Sequence, residues 1–76
     1  MEKHSILLAD DHRILLDGIK NLINSMAKFE VKDIATTGTQ ALELIKKNDY
    51  NILITDYEMP GLTGLELIKA FKNSST

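Results

Sequence analysis

Ile6-Leu7-Leu8-Ala9-Asp10-Asp11 is a short apolar run that ends in two acidic residues, and Ile52-Leu53-Ile54-Thr55-Asp56 repeats the arrangement. Runs that are apolar throughout predict strands whose two sheet faces are both covered by helices. A helical pattern follows each run, so each acidic group is expected at the carboxyl end of a strand. In an open parallel α/β sheet, this is the edge at which ligands bind.

Three strands and three helices are predicted to alternate along the chain. The strands cover residues 5–9, 30–35 and 51–55, and the helices run from Arg13 to about Met26, over roughly 39–47, and from about Thr63 to Lys72. Apolar side chains recur at helical spacing in all three helices. We expect these side chains to form the core, although in an incomplete fold part of them would stay exposed and mark an interaction site or a surface prone to aggregation.

Turn and capping residues separate these elements. Asp11 or His12 is expected to cap the first helix, with Asp11 favoured because a carboxylate oxygen accepts hydrogen bonds from unpaired backbone N–H groups. The threonines around Gly38 are interpreted as turn and cap residues of the second helix. Met59-Pro60-Gly61 predicts a turn, because proline restricts φ and glycine tolerates a positive φ.

The order βαβαβα predicts an α/β fold with a parallel sheet and right-handed crossovers. The mixed polar pattern of residues 30–35 is typical of an edge strand. The first strand therefore lies in the middle, in the order 2-1-3, and the third strand is left without an outer neighbour. Because an open apolar edge is a template for pairing, the chain is expected to be a fragment of a longer domain or to associate with another subunit.

Composition excludes several classes of protein. With 76 residues, 43% of them apolar, the chain is at most one small globular domain. A net charge of −2 argues against nucleic-acid binding by this segment. The lack of cysteine removes disulfides and thiolate chemistry and is compatible with the cytoplasm. No long apolar segment suggests a signal peptide or a membrane span.

The chemistry of the three strand-end acids points to a cation. Asp10, Asp11 and Asp56 would repel one another and raise each other's pKa values unless a cation lay between them. Carboxylate oxygens suit Mg²⁺, and a carboxylate is also a nucleophile toward phosphorus. The pattern therefore predicts a magnesium site beside a carboxylate nucleophile.

The combination of motifs resembles the receiver domain of two-component response regulators, from Ile6 to about Phe71. Asp10-Asp11 after the first strand, Asp56 after the third, and Met59-Pro60-Gly61 with Gly64 carry this resemblance. The resemblance implies a flavodoxin-like receiver fold. It also implies a sensor histidine kinase as partner and a signalling rather than an enzymatic role.

A second group of residues resembles one subgroup of receivers. Asp10-Asp11-His12 with Asp17-Gly18-Ile19 is similar to receivers that precede a helix-turn-helix DNA-binding domain of the LuxR/NarL type. That subgroup usually has proline after the histidine and a basic residue before the glycine, where this chain has Arg13 and Asp17. The resemblance implies an output in transcriptional regulation.

The resemblance also implies a role for each site residue. Asp56 would be the phosphoacceptor. Asp11 and Asp56 would ligate Mg²⁺ directly, Asp10 would act through water, and the backbone carbonyl of Glu58 would be a further ligand. His12 is interpreted as a loop residue that shapes the start of the helix.

The chain departs from the family pattern at its carboxyl end. The family completes its site with Ser or Thr after the fourth strand and Lys after the fifth, and both positions fall beyond Thr76. Residues 1–76 are therefore expected to form a partial receiver domain without the fourth and fifth βα units. Impaired phosphorylation and no normal relay of activation are expected from this segment alone.

Two other functions remain open at this point. The first is a self-association module, which no longer signals by phosphate and pairs through the exposed third strand or through helix faces. The second is a phosphohydrolase of the haloacid dehalogenase type with Asp56 as nucleophile, suggested by Asp56-Tyr57-Glu58. Those enzymes need a general-acid Asp two residues after the nucleophile, where this chain has Glu58, so this alternative fits poorly.

Overall fold

The computed structural model describes residues 3–56, 61 and 63–74. In these residues three strands alternate with three helices, as predicted. The elements are β1 (His4–Ala9), α1 (Arg13–Asn24), β2 (Phe29–Ala35), α2 (Gly38–Lys47), β3 (Ile52–Thr55) and α3 (Gly64–Ser74). The largest differences in boundaries are two residues each: α1 ends at Asn24 rather than near Met26, and α3 ends at Ser74 rather than at Lys72. Met59 and Pro60 of the predicted turn lie outside the described residues.

The sheet is parallel and has the order β2-β1-β3, which confirms the predicted topology. Ala9 at the end of β1 lies between Ala35 of β2 and Thr55 of β3. The backbone N–H of Asp56 donates to the carbonyl of Ala9 at 2.9 Å, so hydrogen bonding continues past the end of β3. The two strands that precede Asp10 and Asp56 are therefore neighbours and end at the same level.

Both faces of β1 are covered, which explains its uninterrupted apolar sequence. On one face, α2 and α3 enclose a core that consists of Leu7, Ala9, Ala35, Ala41, Ile45, Tyr50 and Leu67. The alternate β1 residues Ile6 and Leu8 point to the other face and are also buried, as are Leu16 and Ile23 of α1. Helix α1 thus covers the second face of the central strand.

The prediction that Asp11 rather than His12 caps α1 was wrong. The structure places His12 at the N-cap position, and no side chain makes a capping hydrogen bond there. The carboxylate that bonds to this turn belongs to Asp10, whose Oδ1 accepts the backbone N–H of His12 at 2.9 Å. The chain turns sharply after β1, and an aspartate two residues earlier is well placed to accept a turn N–H.

Threonines cap the other two helices. Oγ1 of Thr37 accepts the backbone N–H of Gln40 at 3.1 Å, which confirms the interpretation of the threonines around Gly38. Thr63 and Glu66 form a reciprocal pair at the start of α3, with side-chain-to-backbone distances of 3.3 and 3.4 Å. This capping box satisfies N–H groups that an isolated helix leaves unpaired.

Only part of the apolar helix surface is core. Among the residues that the structure describes, the large apolar ones that remain exposed are Ile14 (91%), Leu15, Leu22, Met26, Ile54 (37%), Leu65 and Ile68. The expectation that β3 is buried on both faces was wrong, since Ile54 is exposed and the other residues of this strand are half-buried. Within the described part of the chain, β3 pairs with β1 alone.

Among the described residues, no helix combines the length and the apolar character that crossing a membrane requires.

Candidate acidic site

The turn after β1 and the end of β3 bring the predicted acidic residues together. One ligand atom from each of Asp10, Asp11, His12 and Asp56 can be chosen so that all four lie within 4.8 Å of one another. The cause is topological, because β1 and β3 are adjacent parallel strands that end side by side. Glu58, the fourth predicted ligand, lies outside the described residues.

His12 is the member of this cluster whose contacts the sequence did not indicate. Its Nδ1 lies 2.7 Å from Oδ1 of Asp10, 3.1 Å from Oδ1 of Asp11 and 3.8 Å from Oδ2 of Asp56. The interpretation of His12 as a residue at the helix start is confirmed by its N-cap position, but its contact with the carboxylates was missed. Its place directly after two acidic residues was the available signal.

Burial and hydrogen bonding act in opposite directions on Asp10. Asp10 is only 8% exposed, and burial by itself would raise the pKa of its carboxyl group. Hydrogen bonds from the ring and the backbone N–H of His12, together with the ring's charge, outweigh burial and hold that pKa below its usual range. In return, the hydrogen bond to Asp10 and the charge of Asp11 raise the pKa of His12.

The donor set of the cluster fits a magnesium ion. Mg²⁺ takes oxygen ligands in near-octahedral geometry and retains several waters, so it needs only a few protein oxygens around an opening to solvent. The side chains of Asp11 and Asp56 are 38% and 32% exposed and provide that opening, while Asp10 is buried behind them. Three converging carboxylates also need a positive charge more than any single acid does.

Asp56 follows the last residue of β3, and hydrogen bonds hold its backbone there. Its backbone N–H is held by the carbonyl of Ala9, and its backbone carbonyl accepts the hydroxyl of Thr55 at 2.9 Å. The side chain stands at the partly open end of the sheet beside two further carboxylates. With a cation among these groups, an anionic donor could approach Asp56 without strong repulsion.

The fold and this site together define an α/β receiver-type signalling domain. The response regulator receiver domain family matches residues 6–76, and the chain belongs to this family. This match confirms the predicted family. The relatives described next confirm the predicted LuxR/NarL-type subgroup.

Two similar proteins of known sequence are named as regulators. The chain is 39% identical to the transcriptional regulatory protein DesR of Bacillus subtilis over 70 residues, which cover 92% of this chain and 35% of DesR. It is 36% identical to the nitrate/nitrite response regulator protein NarL of Escherichia coli over 74 residues, which cover 97% of this chain and 34% of NarL. The chain therefore spans about a third of the length of these relatives.

Solved structures share the fold. The signal receiver domain of a NarL response regulator from Mycobacterium tuberculosis superposes with a TM-score of 0.89 at 30% identity, over 96% of this chain and 59% of that chain. A LuxR-family DNA-binding response regulator from Staphylococcus aureus gives a TM-score of 0.84 at 33% identity, over 92% of this chain and 58% of that chain. These similarities support the assignment as a receiver domain and give no support to the phosphohydrolase alternative.

Proposed function

We propose that this chain is the phosphoacceptor part of a response regulator and accepts a phosphoryl group on Asp56. The observation that carries the proposal is the convergence of Asp10, Asp11 and Asp56 with His12 within 4.8 Å at the carboxyl edge of the sheet. Membership of the receiver family supports the same chemistry. The phosphodonor is a phosphohistidine of a sensor histidine kinase.

Each acidic residue has its own task in this proposal. An oxygen of Asp56 attacks phosphorus, the bond from phosphorus to the donor's imidazole nitrogen breaks, and its electron pair stays on that nitrogen. Asp11 and Asp56 would hold Mg²⁺ directly and Asp10 would act through water, and the family resemblance implies the backbone carbonyl of Glu58 as a further ligand. Bound magnesium neutralises charge on the equatorial oxygens of the transferred group.

The complete regulator is proposed to be a longer, cytoplasmic protein. Residues 1–76 form a partial receiver domain, and the fourth and fifth βα units outside this chain supply Ser or Thr and Lys to the site. The chain covers 59% of the Mycobacterium tuberculosis receiver structure, which supports this division. The output is DNA-binding transcriptional regulation by a further domain, in keeping with the names of DesR and of the LuxR-family structure.

The direct test is the intact mass of the chain after incubation with Mg²⁺ and acetyl phosphate. We expect one added phosphoryl group in the wild type at low occupancy, none in Asp56→Asn, and wild-type labelling in Asp49→Asn. Asp49 is exposed and follows α2, so its substitution is a matched control. Circular dichroism establishes that each variant is folded. Labelling that survives in Asp56→Asn would contradict the assignment of the phosphoacceptor.

A second proposed property is association between copies of this chain. Ile54 on β3 and Leu65 and Ile68 on α3 are exposed apolar side chains. Among the residues that the structure describes, β3 pairs with β1 alone, and a strand edge without a partner favours pairing with another chain. Sedimentation velocity over a concentration series should show a dimer that Ile54→Lys weakens. A folded wild-type chain that stays monomeric at every concentration would contradict this property.

A further inference from the structure

The ring of His12 lies where the carboxylates of the acidic site converge. Its Nδ1 is 2.7 Å from Asp10, 3.1 Å from Asp11 and 3.8 Å from Asp56. The ion pairs of Asp10 and Asp11 within the described parts of the chain are both with this ring. The nitrogen therefore occupies the region in which a cation bound by the same oxygens would lie.

Nδ1 acts as a hydrogen-bond donor at this position. A nitrogen and a carboxylate oxygen 2.7 Å apart need a proton between them, because two facing lone pairs would repel. With Asp10 ionised, that proton is on the ring. A nitrogen that carries a hydrogen has no lone pair for a metal ion, so this arrangement of His12 is not that of a ligand.

Ring and cation exclude each other for two reasons. Magnesium binds carboxylate oxygens at about 2.0–2.1 Å and needs the lone pairs that face it. Nδ1 of His12 lies 3.1 Å from Oδ1 of Asp11, one of the proposed direct ligands, so the ring stands where the ion would lie. Its N–H is directed at Oδ1 of Asp10, the oxygen that a water between Asp10 and the ion would need as its acceptor. Metal binding thus requires the contact between His12 and Asp10 to break.

The structure allows the ring to leave without disturbing the turn. The His12 side chain is 67% exposed and makes no capping hydrogen bond to α1. The backbone of the same residue is held separately, through its N–H to Oδ1 of Asp10 at 2.9 Å. Rotation about the side-chain bonds can therefore move the ring into solvent while the backbone stays anchored.

We propose that the side chain of His12 closes the acidic site in the metal-free protein and must swing out before Mg²⁺ binds, so that it lowers the affinity of the site for magnesium. This inference rests on the proposed function, because it concerns the same metal site. It adds a residue that regulates how readily this site takes up the ion.

The test compares Mg²⁺ binding by isothermal titration calorimetry, at one fixed pH, in the wild-type chain, His12→Ala and the control His4→Ala. His4 is an exposed histidine at the opposite end of β1. Because solvent screens the ion pairs of this exposed ring, His12→Ala should bind Mg²⁺ only about two- to five-fold more tightly, and His4→Ala should bind like the wild type. Equal or weaker binding by folded His12→Ala would overturn the proposal and leave the metal site standing.

A measurement on the unmodified chain avoids any doubt about the variant's folding. In ¹⁵N spectra of the histidine rings, Mg²⁺ should move the chemical shift of Nδ1 of His12 to that of an imidazole without a carboxylate partner. The change should follow the dissociation constant measured by calorimetry, and the shifts of His4 should stay the same. A His12 signal that keeps its hydrogen-bonded position at magnesium saturation would overturn the proposal. If no chain binds Mg²⁺ at all, this inference and the proposed metal site both fail, while the labelling of Asp56 remains a separate test.

Discussion

Gly61 lies so close to Thr39 that a Cβ atom on the glycine would stand 2.6 Å from Oγ1 and 3.0 Å from the backbone nitrogen of the threonine. Gly61 also has a φ of 100°, in the region that side-chain-bearing residues rarely adopt. Gly61 thus lies directly against the start of α2. The prediction that position 61 uses the positive φ that glycine tolerates is confirmed, and the close approach to Thr39 is a second reason for glycine there.

Gly61→Ala should destabilise the fold. The added methyl group meets backbone as well as side chain at Thr39, and the backbone is strained by the positive φ, so we expect the free energy of unfolding to fall by about 1–3 kcal/mol. Urea denaturation followed by circular dichroism measures the change. Unchanged stability would mean that the turn relaxes into another conformation.

Gly18→Ala should have the opposite effect and is a matched partner for that experiment. Gly18 lies within α1, is exposed, and has nothing within 4 Å of the position that a Cβ would take. Glycine inside a helix costs roughly 0.5–1 kcal/mol relative to alanine, so the substitution should raise the free energy of unfolding by about that amount. A loss of stability would contradict the open space around the Cβ position of Gly18.

Tyr50→Phe should destabilise the protein through one hydrogen bond. The hydroxyl of the buried Tyr50 donates to Oδ2 of Asp33, linking the turn before β3 to the edge strand β2. Burial first, and then this hydrogen bond, raise the pKa of Tyr50. Hydrogen bonds to charged groups contribute roughly 1.5–3 kcal/mol, so a loss in the lower part of that range is expected in chemical denaturation.

A substitution at Lys32 separates this hydrogen bond from the packing of the ring. Nζ of Lys32 lies 5.5 Å from the centre of the Tyr50 ring, a contact that phenylalanine would keep. Lys32→Met removes that contact alone and should cost only about 0.5–1 kcal/mol. Equal losses in Tyr50→Phe and Lys32→Met would contradict the assigned importance of the hydroxyl.

The stability of the metal-free protein should depend on pH through His12. The pKa of His12 is raised above 6.5 in the folded state, so folding binds this proton more tightly. Its contribution to stability is fully present below about 6.5 and is lost as the pH rises through the raised pKa. Melting curves in the presence of a chelator should show this loss in the wild type and not in His12→Ala.

At acidic pH the stability of the protein should depend on Asp10, and it should fall as the pH falls. The pKa of Asp10 is lowered from 3.8, so its contribution is present above that value and is lost as the pH falls through the lower, folded-state pKa. Asp10→Asn should abolish this acid transition and also lower the pKa of His12, which ring NMR signals report. A His12 pKa that is the same in Asp10→Asn and wild type would contradict the assigned partner.

Much of the fold could be predicted because it rests on local patterns. The run Ile6-Leu7-Leu8-Ala9 is apolar on both faces, which made β1 central, and the polar residues of β2 made it an edge. Right-handed parallel connections then allow few arrangements, and the order 2-1-3 followed. The adjacency of Asp10 and Asp56 follows from the same rule, because parallel neighbours end at one edge.

Contacts between distant segments could not be read in this way. Tyr50 and Asp33 are separated by 17 residues, and nothing in their local sequences pairs them. The approach of Gly61 to Thr39 likewise depends on how α2 packs, and the 91% exposure of Ile14 depends on what surrounds α1. Helical periodicity tells which side chains share a face, but not whether that face has a neighbour.

The amino-acid sequence by itself therefore determined the elements, the order of the strands and the three acids at one edge. These depend on hydrophobic periodicity and chain connectivity, which are properties of neighbouring residues. The tertiary structure alone decided that the ring of His12 enters the cluster and that Asp10, not Asp11, bonds to the turn. Such contacts depend on side-chain direction after a sharp turn, which packing in three dimensions sets.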